Sequence, residues 1–224
     1  MRRATCQSCL GIAILTLLLV LGACDRRTDD PVRPDFTDPN WTGSFEHTLS
    51  INVVGTKTAA VLTSKTDPGT TTLILSGGAV MTGNTQYDDI QEKWITTFGS
   101  YGGYQNSTVQ YDLTINDLLY SGTIEMPSSI SAAFQAFNSN SDYIFSWVSS
   151  VNPRFFIYTM DYAYNNQMYQ IRKQLDRGLR SYTLQRKEWN ENAITLLGMN
   201  IIAINYNTKA KNLVVYAMTS DSYQ

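Results

Sequence analysis

Between Thr108 and Asn116 the chain reads TVQYDLTIN, and this stretch limits the possible folds more than any other. Val109, Tyr111, Leu113 and Ile115 alternate with Gln110, Asp112, Thr114 and Asn116. A period of two places one set against a core and the other in water, as in a half-buried strand. Asn116-Asp117 then tolerates the positive φ of a tight turn, so Leu119–Met126 is expected to return as the second strand of a hairpin.

The same signature recurs at Thr48–Val54, Thr58–Thr63, Thr70–Leu75, Ala79–Thr82 and Trp94–Phe98. Asp67-Pro68-Gly69 and Gly77-Gly78 punctuate these runs. After Pro127 the pattern restarts, with strands expected at Ile130–Phe137, Tyr143–Ser149, Arg154–Tyr162, Gln167–Lys173, Arg180–Gln185, Met199–Tyr206 and Leu213–Thr219. Asn190–Leu197 is the one stretch that reads as a helical turn. The expectation is an all-β chain of two tandem antiparallel sandwiches, at 45–127 and 128–224, with one larger sandwich as the alternative.

In the second half, Phe145-Ser146-Trp147 followed by Asn152-Pro153 resembles the second strand of fibronectin type III domains. Asn200–Tyr206, NIIAINY, is similar to their penultimate strand. The resemblance implies an immunoglobulin-like sandwich with Trp147 in its core and Ile202 and Ile204 as candidate partners. The first half is similar to such domains in strand spacing alone. A fold of this class implies no catalysis, because it hosts many functions.

The N-terminus carries a different signal. Arg2 and Arg3 precede an apolar run of about 14 residues, short of the roughly 20 that a transmembrane helix needs. Leu21-Gly22-Ala23-Cys24 resembles the lipobox of bacterial lipoproteins. That resemblance implies a signal peptide at 1–23, a diacylglyceryl group on Cys24, and a membrane-anchored protein facing the periplasm or the cell surface. Asp25–Ser44 is rich in charge and proline and is expected to be a flexible tether, with a reach of about 25 Å. Cys6 and Cys9 would leave with the signal, so the mature chain would hold no disulfide.

Composition narrows the chemistry. Loss of Arg2 and Arg3 leaves 15 basic against 19 acidic residues, a net charge of −4 that argues against nucleic-acid binding. His47 is the only histidine, and it falls at the start of a strand, where a solvated or edge position is expected rather than a triad base. With one histidine and no spare thiol, a zinc site lacks its usual ligands. Calcium is the one credible ion, at Asp88, Asp89 and Glu92, but the EF-hand spacing is missing and no cofactor is expected. Asp112, Asp117, Glu125, Asp142 and Asp161 supply carboxylates for glycoside hydrolysis, yet nothing in the sequence brings two together. Gly99–Tyr104 lacks the lysine and helix of a phosphate loop.

Two binding features remain. Tyr101 and Tyr104 flank a Gly-Gly pair, and Tyr162, Tyr164, Asn165, Asn166 and Tyr169 crowd a turn. Aromatic faces beside amides suit sugar rings or a protein partner. Between Gln170 and Glu188 lies a net charge of +4, which includes Arg172, Lys173, Arg177 and Arg180, a candidate patch for an anionic ligand. The expected function is non-enzymatic binding or adhesion toward a glycan or envelope protein. Two alternatives are a structural or accessory subunit joined through an edge strand, and a glycan hydrolase.

Overall fold

The computed structural model describes residues 35–36, 38, 41–54, 57–104, 107–150, 153–189, 194–210 and 212–223. Cys24, the expected signal segment and the first ten residues of the expected tether lie outside them. The chain is all-β, as its period of two requires. In order, the strands are β1 (His47–Val54), β2 (Lys57–Ser64), β3 (Thr71–Leu75), β4 (Met81–Thr82), β5 (Asn84–Asp88) and β6 (Lys93–Thr97). They continue with β7 (Tyr101–Gly102), β8 (Thr108–Ile115), β9 (Leu118–Glu125), β10 (Ile130–Phe134) and β11 (Tyr143–Ser149). The last are β12 (Phe155–Tyr164), β13 (Gln167–Leu175), β14 (Ser181–Leu184), β15 (Thr195–Ala210) and β16 (Leu213–Tyr223).

One long sheet runs β13-β12-β15-β16-β1-β2-β6-β5, with β7 pairing to the far end of β2. Two small sheets, β4-β3-β8-β9 and β10-β11-β14, pack on the same face of it. Leu49 and Ile51 of β1, Leu62 of β2 and Val215 of β16 meet Leu73, Leu75, Val109 and Leu113 in one core. Phe156 and Tyr158 of β12 and Ile201 of β15 meet Phe145, Trp147 and Leu184 in another. The boundary expected at 127/128 falls where the chain passes from one small sheet to the other. The long sheet belongs to both halves, because β1 lies parallel to β16 with Leu49 opposite Val215.

Strand parity decides which residues reach which core. Trp147 meets Phe156 edge-on at 5.2 Å and shares its core with Ile201 and Ala203. Ile202 and Ile204, the partners expected from the fibronectin-type resemblance, point to the opposite face of β15. A register displaced by one residue reverses every side chain, so NIIAINY forms the expected strand with its faces inverted.

That opposite face corrects the tether. Phe36, Trp41 and Phe45 are buried there with Phe155, Ile157, Ile204 and Val214. Phe36 lies 4.3 Å from Trp41 and 4.7 Å from Phe155, centroid to centroid. Three aromatic rings bury enough area to offset the ordering of a short segment. The structured body therefore begins before Phe45, with a single 3-10 turn at Trp41–Ser44.

Two further expectations change. The helical turn expected at 190–197 is displaced: a 3-10 turn occupies Arg186–Trp189, and β15 has already begun at Thr195. His47 does not sit on an edge. Its strand lies between β2 and β16, and the ring is 8 % exposed with Nδ1 hydrogen-bonded to Ser64 Oγ at 2.9 Å.

Candidate functional site

The two tyrosine clusters have different fates. Tyr101 is buried, and its hydroxyl donates to the Leu73 carbonyl oxygen at 2.7 Å. Burial pushes this phenol up to about 12. Tyr104 is half-buried and donates to the Leu75 carbonyl at 3.2 Å. Both rings pack on the first core, so this pair holds β3 and offers no free aromatic face.

The second cluster stands at the tip of the β12–β13 hairpin. Asn165 and Asn166 form its two-residue turn, with φ of 49° and 59°. Asparagine tolerates this left-handed geometry, which matches the twist of the flanking strands. Tyr162 and Tyr169 face each other across the ladder, with rings stacked at 5.4 Å and 18°. Tyr162 is buried and Tyr169 is 40 % exposed, its hydroxyl donating to Gln167 Oε1 at 2.8 Å. One aromatic face framed by amides results. Tyr164 is half-buried beside it.

The basic segment is divided between two faces of β13. Successive strand residues face opposite ways. Arg172 reaches over one face to donate from Nε to the Phe36 carbonyl at 2.7 Å. Lys173 points to the other face and pairs with Glu188, whose hydrogen bond raises the pKa of the ammonium. Arg177 is exposed in the turn, and Arg180 donates to the carbonyls of Arg177 and Leu179 while lying over the Phe156 ring. The anion-binding expectation counted charge along the chain, whereas the fold sets Arg172 and Lys173 on opposite faces.

A site that the sequence did not reveal lies at the other end of the long sheet. The strand β5 carries little apolar signal, NTQYD, and went unread. It pairs with β6 so that Asn84 faces Thr97 and Gln86 faces Ile95. These residues, with Tyr87, Asp88, Asp89 and Ile90, line an open cleft of about 460 Å³. The cleft's volume lies in the range of small-ligand sites.

Its wall is a turn tied by Asp88. Oδ1 accepts from the backbone N–H of Ile90 at 2.9 Å and of Gln91 at 3.0 Å, and Oδ2 accepts from Gln91 Nε2. Glu92 takes φ of 52° to close the turn. Ile90 is left 96 % exposed on the rim. Asp88 thus spends its oxygens on the turn, and among the described residues no three acidic, histidine or cysteine side chains converge as metal ligands. The one sequence signal was threonine, which recurs at Thr85, Thr96 and Thr97; in the fold Thr85 Oγ1 and Thr96 Oγ1 lie 2.8 Å apart.

Among the described residues, no helix is long and apolar enough to cross a membrane. No family model matches the chain, and no curated protein matches it. One solved structure similar to part of it is that of the chicken CNTN1 FN1–FN3 domains, at 11 % identity and a TM-score of 0.23. The alignment covers 79 % of this chain and 69 % of that one, and at this TM-score it carries no argument about the fold.

Proposed function

We propose that this protein is a lipid-anchored, non-enzymatic binding protein of the bacterial cell envelope whose β5–β6 cleft takes a glycan. The observation that supports the reading is the cleft's lining: the amides of Asn84 and Gln86 and the Thr97 hydroxyl beside the apolar side chain of Ile95. Amides both donate and accept, which matches a sugar's hydroxyls, while Ile95 suits its C–H face. Asp88 and Asp89 make the cleft acidic, so the class favoured is a neutral or amino sugar rather than an anionic one. The Leu21–Cys24 motif supports anchoring through Cys24. The motifs at Phe145–Trp147 and Asn200–Tyr206 support an immunoglobulin-like reading of the second half, a scaffold that carries binding sites on its loops and faces.

A glycan array probed with the full chain tests this. Neutral or amino-sugar glycans are expected to be retained, with affinity falling about tenfold or more in Gln86→Ala and unchanged in Tyr169→Ala. No retained glycan would overturn the reading. Loss in Tyr169→Ala alone would transfer the site to the hairpin tip, which the exposed Tyr169 ring favours as the second reading.

A further inference from the structure

The sheets differ in how their edges are protected. On β9, the Thr123 and Glu125 carbonyls accept from Asn207 Nδ2 at 3.1 Å and Asn205 Nδ2 at 2.9 Å. On β10, the Ala132 N–H donates to Asp221 Oδ2 at 2.7 Å. Side chains from β15 and β16 thus occupy some of the groups that a foreign strand would need. The strands β14 and β5 are short. At nine residues, β13 is longer, and it ends the long sheet.

The turn fixes which groups of β13 look outward. A two-residue turn makes Tyr164 and Gln167 its closing pair, hydrogen-bonded to each other across the ladder. Antiparallel pairing alternates hydrogen-bonded and non-hydrogen-bonded pairs. Met168, Gln170, Arg172 and Gln174 therefore turn their N–H and C=O away from β12. No group among the described residues meets them.

We propose that the open edge of β13 pairs antiparallel with β13 of a second copy of this chain, joining two long sheets about a two-fold axis through Ile171. The sequence QMYQIRKQL is compatible with itself in this register. Gln170 falls opposite Arg172 of the second copy, Met168 opposite Gln174, and Tyr169 opposite Lys173. No two cations face each other, and the full nine residues pair. Centring on Arg172 instead would oppose two guanidinium groups and is disfavoured. The outward-facing residues are those that exchange hydrogen bonds in the centred register, so ladder and side chains agree. A two-fold contact of this type closes on itself and leaves no edge for further growth at this site. The proposal is independent of the glycan reading, because β5 lies at the other end of the sheet.

Sedimentation velocity on the full chain over a wide concentration range tests it. A reversible dimer is expected. Gln170→Pro removes an outward backbone donor and no ladder bond to β12, together with the exposed side-chain bond from Gln170 Nε2 to Asp161 Oδ1 at 2.8 Å that Gln170→Thr also removes. It is tolerated on an edge and should weaken the dimer at least tenfold. Gln170→Lys faces Arg172 of the second copy and should weaken it too, while Gln170→Thr should preserve it. Circular dichroism of each variant reports whether the monomer remains folded. A monomer at every concentration would contradict the proposal. So would a dimer that survives both Gln170→Pro and Gln170→Lys with the fold intact, since that would place the contact elsewhere. Glycan binding by Gln170→Pro at wild-type affinity would separate a failed dimer from a failed cleft.

Discussion

Asn205 joins the longest strand to the small sheet beside it: Nδ2 donates to the Glu125 carbonyl at 2.9 Å, and Oδ1 accepts from the Arg154 N–H at 2.7 Å. The two partners fix the amide's orientation, because a backbone N–H can only donate and a carbonyl can only accept. Asn205→Asp retains the acceptor and replaces the donor with a second oxygen facing a carbonyl. The expected cost is about 0.5–1.5 kcal/mol, with Asn205→Ala in the same range, because both bonds are exposed and the Arg154 N–H keeps the Ile204 carbonyl at 3.1 Å. Urea unfolding of both variants checks it, and an unchanged midpoint would show the contact to be incidental.

His47 makes stability depend on pH. Burial holds its pKa below 6.5, against a smaller opposing effect from Glu46. The folded state therefore resists protonation more than the unfolded chain does. Its contribution is complete above about pH 6.5 and declines as the pH falls toward the lowered folded value. Urea midpoints of wild type and His47→Gln between pH 7.5 and 5 measure the difference. The wild type is expected to lose stability relative to the variant as the pH drops, and parallel curves would refute the assignment.

Tyr158 is the converse case. Its ring is fully buried and stacked at 4.4 Å on Phe145, yet its hydroxyl has no hydrogen-bond partner among the described residues. Burial is the main cause that raises its pKa, so the phenol stays neutral. Removing an unsatisfied buried hydroxyl while keeping the ring is expected to be neutral or to stabilise by about 1 kcal/mol. A thermal melt of Tyr158→Phe tests this; a destabilisation above about 1 kcal/mol would reveal a hydrogen bond or a buried water at that atom.

Much of the strand pattern was legible because apolar alternation and turn residues agree. TVQYDLTIN became β8, and Asn116 and Asp117 adopt the expected positive φ of 46° and 64°. Three features were not legible. The strand β5 lacks an apolar face, because Asn84, Gln86 and Asp88 hold one side of NTQYD and Thr85 begins the other. The face chosen by NIIAINY was ambiguous, because isoleucines occupy both parities at 201, 202 and 204. The division of the basic segment was hidden for a related reason: adjacent Arg172 and Lys173 are neighbours in sequence and opposites in space. Phe36 and Trp41 did carry a signal, as two aromatic residues within a stretch otherwise read as tether, with Phe45 directly after it.

The central claim is that a single sheet makes the two halves one folding body, through β1 against β16. Differential scanning calorimetry of the full chain tests it most directly. One transition is predicted, with calorimetric and van't Hoff enthalpies in agreement. Two separated transitions, each with its own enthalpy, would contradict it.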